Sequence, residues 1–301
     1  MITHKWHDSG ATLAGKKILR WHGEDVGRVL AAKSAKCNED DDKTTRGKKQ
    51  ESWWGEGVRS IRTAISILGG KRTWDAGSGH AARAMRQISA KPLPVAKSVR
   101  RRRRRGPDGD NLDMGRVWNG DLDNAWTRCE REAGGNAPRA MRIVVDVCVS
   151  AGTPAEEAMW PGIAASVVAD RCIAAGLSVE IVAAAATVGT WNDDNEIGCY
   201  SVVVKGSNEP FDLNRVLNWT AMPAAFRGPG FRVWRNRART KTCSGLGRVL
   251  RYADGCGGDD ALRNVLEASD TDLGRMSVYV PPVRSLQGAV AWIEEELGKL
   301  A

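Results

Sequence analysis

Between residues 139 and 186 two apolar strands flank one helix, and no other stretch narrows the possible folds as far. Residues 143–147 read Ile-Val-Val-Asp-Val, a β-branched run interrupted only by Asp146 and followed by small residues. Continuous apolar runs of this kind belong to strands covered on both faces, as in parallel sheets. Residues 154–175 give the clearest helix of the chain. Thr153 stands as its N-cap before Pro154, Glu156 and Glu157 complement the helix dipole, and Gly176 ends it. Its buried stripe is Ala165, Val168, Ala169, Cys172 and Ile173. Residues 179–186 then form a second all-apolar strand. Short connections between strand, helix and strand imply a right-handed crossover and a parallel pair. Open α/β sheets hold ligands beyond the carboxyl ends of their strands. Asp146, Cys148 and Ser150, two positions apart, therefore mark the place where function is expected.

The rest of the chain is assigned around that unit. Residues 187–197 read as a polar loop, 199–204 as a third strand, and Leu213, Val216, Leu217 and Trp219 as the apolar side of a helix. Short strands are expected at 226–234, 249–252 and 276–280, with helices at 260–267 and 285–300. Upstream, residues 1–50 are weakly patterned, with Leu19, Trp21, Val26, Val29 and Leu30 lining a short helix and 33–50 forming a polar linker. Val58, Ile61, Ile65 and Leu68 recur at helical spacing, predicting an amphipathic helix over 51–69 that stops at Gly69-Gly70. Residues 111–132 read as two helical pieces broken at Asn119-Gly120. Three regions follow: a helical N-terminal region with a polar linker (1–97), an arginine-rich segment with helices (98–138), and an α/β domain (139–301).

A net charge of +9 favours acidic partners or nucleic acid, and its placement matters more than its sum. Arg100, Arg101, Arg102, Arg103, Arg104 and Arg105 are consecutive. Alone, such a run stays solvated, and it neutralises phosphates without reading sequence. No aromatic residue interleaves it, although Asp108, Asp110, Asp113, Asp121 and Asp123 follow and could pair with it. A second basic cluster holds Arg232, Arg235, Arg237, Arg239 and Lys241 around Trp234. Seven cysteines without a C-x-x-C pair point to reduced thiols in a cytoplasm-like compartment. The first ten residues are polar, unlike a secretory signal, and no apolar run reaches the roughly 18 residues that span a bilayer. A soluble cytoplasmic protein is expected, cytoplasmic in the host if encoded by a phage.

The arginine run, Gly109-Asp110-Asn111-Leu112-Asp113, and Asp146-Val-Cys-Val-Ser150 together resemble the von Willebrand factor A (VWA) family. The likeness is closest to its CoxE-like branch, which works beside MoxR-type AAA+ ATPases, and it covers residues 98–301. The layout is also similar to proteins of phages and mobile elements. The resemblance implies an α/β fold: a VWA-like (Rossmann-like), mostly parallel sheet with helices on both faces, here preceded by a helical N-terminal region. It further implies a Mg²⁺ site of oxygen ligands, with Asp146 and Ser150 in the loop and Thr220 and Asp254 as the distant pair. Cys148 is a soft, poor ligand for that ion, and Val149 stiffens a loop that has to wrap it. A degenerate site therefore stands beside the working one, with Asp146 accepting backbone N–H groups instead of binding metal.

The functional expectation is a non-enzymatic interaction module that needs no cofactor, an adaptor for a protein partner such as an AAA+ ATPase. The alternative is a nucleic-acid-binding protein using the two arginine clusters. No Ser-His-Asp order, Walker loop or His-Glu-x-x-His motif occurs, and no catalytic residue is assigned. The four histidines, His4, His7, His22 and His80, are placed outside the α/β core, which leaves it without an ordinary general base.

Overall fold

A computed structural model of the chain describes residues 6–31, 50–88, 93, 101–109, 111–131, 140–150, 152–190, 193–238, 248–250, 255, 258–269 and 277–300. The chain divides into two units, residues 1–94 with 140–301, and residues 95–139.

The larger unit is built on a mixed sheet. Its strands are β1 (His7–Leu13), β2 (Lys16–Gly23), β6 (Ala140–Asp146), β7 (Ser178–Thr190), β8 (Asp193–Lys205) and β10 (Ser277–Val280), in the order β1-β2-β8-β7-β6-β10. Three of the five pairings along this path are parallel, and two are antiparallel. A short strand, β9 (Arg248–Val249), pairs antiparallel with β7 off the path. The expected parallel pair is present, with Ile143 opposite Ile181 and Val145 opposite Ala183.

Two expectations fail here because strand pairing is a long-range event. The described residues of 187–197 are strand and not loop, since β7 reaches Thr190 and β8 starts at Asp193, with Val188 facing Ile197. Both side chains are buried against Ile18 and Leu250, contacts that the local polarity of the segment conceals. Nor is the N-terminal region purely helical. Ala14 and Gly15 take positive φ of 51° and 73°, which makes the tight turn of the β1–β2 hairpin, and β2 then pairs parallel with β8. Helix α1 (Val26–Ala31) is all that remains of the helix expected there.

Helices cover both faces of this sheet. The larger core packs α7 (Trp160–Ala174), α11 (Leu286–Leu300), α4 (Asp75–Gln87) and α8 (Leu213–Thr220) against the face carrying Ile143, Val145, Ile181 and Val202. On the other face, α10 (Ala261–Ser269) and Leu250 close over Ile18, Val144, Ala184 and Ile197. Each large aliphatic side chain sealed this way contributes roughly 1.5–3 kcal/mol, so burial dominates the stability of the sheet. Helix α7 is buried all round from Trp160 to Ala169, not along one stripe, as befits a helix between other helices and a sheet. The segment before it, α6 (Ala155–Ala158), starts at Pro154 without the expected Thr153 side-chain cap.

Further differences are local. Residues 51–69 are two helices, α2 (Gln50–Trp54) and α3 (Ile61–Leu68), separated by Gly55 and Gly57 at φ 111° and 76°. Ser60 caps the second, its Oγ accepting from the Thr63 amide at 3.1 Å. The strand expected at 226–234 is a π-helical turn, Phe226–Gly230, leading into α9 (Phe231–Ala238). Pro229 supplies no amide to a strand ladder, and Val233 and Trp234 are buried at adjacent helical positions.

The smaller unit is a three-stranded antiparallel sheet of β3 (Arg101–Gly106), β5 (Trp126–Arg131) and β4 (Asn111–Leu112), in the order β3-β5-β4. Arg101 to Arg105 of the arginine run thus lie on a paired strand, with Arg102 opposite Glu130. Where two helices were expected, residues 111–131 hold the five-residue α5 (Met114–Trp118) between strands. Cross-strand pairing again decides what local periodicity had assigned to helix.

Candidate functional site

The parallel ladder between β6 and β7 brings Asp146 to the carboxyl edge of the sheet and continues one step beyond it, the Val147 amide donating to Ala184 at 2.8 Å. The chain then turns. Asp146 Oδ1 accepts the Cys148 amide at 2.8 Å, an Asx-type bond that folds the loop back on its own aspartate. Ser150 Oγ accepts the Gly152 amide at 3.4 Å, and the Ser150 carbonyl accepts the Thr153 amide at 2.9 Å. Cys148 is buried at 3% exposure, so its thiol points into the protein and not into a solvent-facing site.

The group that organises this loop is one that sequence reasoning missed. Arg227, in the π-helical turn, is 4% exposed. Its Nη2 donates to the Thr153 carbonyl at 2.8 Å and the Ser150 carbonyl at 3.3 Å, and its Nη1 donates to the Trp53 carbonyl at 2.8 Å. The guanidinium carbon also lies 4.1 Å from the Trp53 ring centroid, a cation–π contact. Among the described residues no carboxylate pairs with it. Burial pulls its pKa down to about 10, which still leaves it charged at neutral pH. A signal was present in the sequence, because Arg227 is the one charged residue within 216–231. A lone charge in an apolar stretch has to find polar partners inside the fold.

Of the two distant residues proposed as metal ligands, one is described, and its hydroxyl is engaged in its own helix. Thr220 is buried in α8, and its hydroxyl donates to the Val216 carbonyl at 2.8 Å, one turn back in its own helix. Asp254 lies outside the described residues. Among the described residues no group of three or more His, Cys, Asp or Glu side chains could hold a metal ion. Cys148, Cys172 and Cys199 are all buried thiols, as expected. Burial pushes the Cys172 thiol up to about 12.

In the smaller unit, Asp113 caps α5 by accepting the amides of Gly115 at 3.1 Å and Arg116 at 3.4 Å. Arg116 reaches Asp121 at 2.6 Å, so two of the expected acidic residues pair locally. Hydrogen bonding from Asn124, then the Arg116 guanidinium, holds the Asp121 carboxyl below its ordinary range. Leu112, Met114, Trp118 and Leu122 are exposed, Trp118 at 82%. Of the arginines proposed for nucleic acid, Arg101, Arg102, Arg103, Arg104 and Arg105 lie on β3, and Arg235 and Arg237 on α9. Arg100 and Arg239 lie outside the described residues. His7 and His22 fall on strands of the main sheet, correcting their placement outside the α/β core. His80 lies on α4, its ring 5.6 Å from that of Trp160, and His4 is outside the described residues. No helix among the described residues is long and apolar enough to cross a membrane.

A family model described as a domain of unknown function (DUF7192) matches residues 22–285. No curated protein and no solved structure matches the chain.

Proposed function

The chain belongs to the DUF7192 family, and we propose that it is a VWA-like interaction module whose binding loop is organised by an arginine in place of a metal ion. The observation that carries this reading is the buried guanidinium of Arg227 on the carbonyls of Ser150 and Thr153. A loop at the carboxyl edge of such a sheet is where the fold presents ligands. There a cation that gathers loop oxygens gives the backbone a fixed shape, and Arg227 supplies that charge permanently. The Asp146 bond to its own loop and the back-bonded Thr220 hydroxyl fit a degenerate ion site. The module is non-enzymatic in this reading, and the resemblance implies an AAA+ ATPase as its protein partner. The test is co-purification from the native host in Mg²⁺ and in EDTA, with wild type and Arg227→Met. The reading expects an ATPase or another protein partner to be retained in EDTA and lost with the variant. Recovery of no partner, or a partner that leaves when Mg²⁺ is removed, overturns it.

A second reading rests on the smaller unit. Five consecutive arginines on one strand, in a unit that also exposes Trp118, supply charge for phosphate contacts and an aromatic ring for stacking. Oligonucleotide affinity that falls steeply with salt and drops in Trp118→Ala supports it. An affinity that stays flat as salt rises removes it.

A further inference from the structure

Successive residues of a strand lie on opposite faces of its sheet, so the ladder of the smaller unit sorts its arginines. Arg101, Arg103 and Arg105 fall on one face, where their cross-strand partners are Arg131, Cys129 and Thr127. Arg102 and Arg104 fall on the other, opposite Glu130 and Arg128. Of the described strand residues of this sheet, Glu130 is the one carboxylate, and the register puts it on that second face. The first face therefore carries a row of arginines. On it Arg105 and Asn111 are exposed and Thr127 is half-buried. At the Arg105 end the Asp121 carboxyl feels that guanidinium, but its oxygens are taken by Arg116 at 2.6 Å and Asn124 at 2.9 Å.

The spacing of the row selects among polyanions. Alternate residues of an antiparallel strand repeat about every 6.8 Å, so Arg101, Arg103 and Arg105 mark a path of about 14 Å. An extended single strand of nucleic acid lays its phosphates on such a path at a comparable repeat, whereas the phosphates of a duplex wind away round the helix. Trp118, 82% exposed in the same unit, adds a ring for stacking. A duplex keeps its base faces inside the stack, and an unpaired strand has them to offer.

We propose that the smaller unit binds single-stranded nucleic acid, with phosphates along Arg101, Arg103 and Arg105 and a base on Trp118. Resting on the nucleic-acid reading of this unit, it narrows the ligand to an unpaired strand. Fluorescence anisotropy of the full chain with a labelled oligothymidine of about 12 nucleotides, and with a duplex of the same length, tests it. The single strand is expected to bind about tenfold tighter than the duplex. Arg103→Gln combined with Arg105→Gln is expected to weaken single-strand binding about tenfold. The slope of log affinity against log salt should fall by about 1.4, two phosphate contacts at about 0.7 each. Arg102→Gln combined with Arg104→Gln removes the same charge from the opposite face and is expected to change both quantities far less. A duplex bound as tightly as the single strand overturns the proposal and leaves the broader reading standing, whereas binding of neither overturns both. Equal losses in the two double variants overturn it as well. So does displacement of the oligothymidine by polyglutamate at equal charge, since a general polyanion surface then explains the binding. The comparison of single strand with duplex uses wild type alone and stands even if a variant fails to fold.

Discussion

The guanidinium of Arg227 donates to the carbonyl oxygen of Thr153 at 2.8 Å, across 74 positions of sequence. Thr153 has the side chain of a helix cap, yet its backbone is what the fold uses. The bond ties the segment leading into α6 to the π-helical turn and fixes the loop that begins at Asp146.

Arg227→Met keeps the bulk of the side chain and removes its donors, leaving the carbonyls of Trp53, Ser150 and Thr153 without this partner. Unsatisfied buried groups cost roughly 1–3 kcal/mol each, and some of these regain water, so a total loss of about 2–4 kcal/mol is expected. Urea unfolding checks the magnitude. Arg227→Lys is expected to recover only part of it, because one ammonium cannot serve three separated carbonyls as a planar fork does.

Asp146→Ala removes the acceptor for the Cys148 amide. A cost of about 1 kcal/mol is expected, in line with other side-chain caps on backbone amides. If arginine has replaced the ion, thermal melts of wild type and variant differ by the same amount with Mg²⁺ or with EDTA. A wild-type melting temperature that rises with Mg²⁺, and does not rise in Asp146→Ala, would restore the metal site.

At Gly162 helix α7 crosses close to the end of α8. A Cβ there would stand 2.3 Å from the carbonyl carbon and oxygen of Thr220 and 2.4 Å from the Ala221 amide nitrogen. Backbone cannot yield as a side chain can, so Gly162→Ala is expected to cost about 3 kcal/mol despite its better helix propensity. Chemical denaturation reads this directly, and a neutral result would mean that α7 and α8 do not approach so closely.

Cys172 gives a pH signature. An unfolded thiol ionises near its ordinary value of 9.0, whereas burial keeps Cys172 protonated up to about 12. The folded state then binds the proton that the unfolded state releases. The stability from this residue is complete below pH 9 and declines towards pH 12, at no more than ~1.4 kcal/mol per pH unit. Between pH 8 and pH 10 the urea midpoint of wild type should fall further than that of Cys172→Ala. The native thiol should also resist alkylation until the protein unfolds.

Much of the α/β unit was legible because its strands and helices carry their own periodicity. The run at 143–147, the helix to Ala174 and the final helix Leu286–Leu300 all fall where apolar spacing puts them. What could not be read locally is what pairs with what. The alternation around Ile18 gains meaning once Ile197 and Leu250 close over it, and Val188 and Ile197 meet as partners across a hairpin. The candidate loop was half visible: Asp146 announced itself at the end of an apolar strand, but Arg227 lies 77 positions beyond Ser150.

The sequence by itself determined the parallel β6–β7 pair, its crossover helix, the arginine run and the aspartate at the strand end. These follow from the burial preferences of neighbouring residues, which act over a few positions of chain. The tertiary structure decided that Arg101 to Arg105 lie on a paired strand, that the N-terminal hairpin extends the sheet, and that a guanidinium holds the Asp146 loop. Those outcomes depend on hydrogen-bonding groups that distant segments must satisfy for one another. A buried N–H, carbonyl or charge takes whichever partner the whole fold brings within reach.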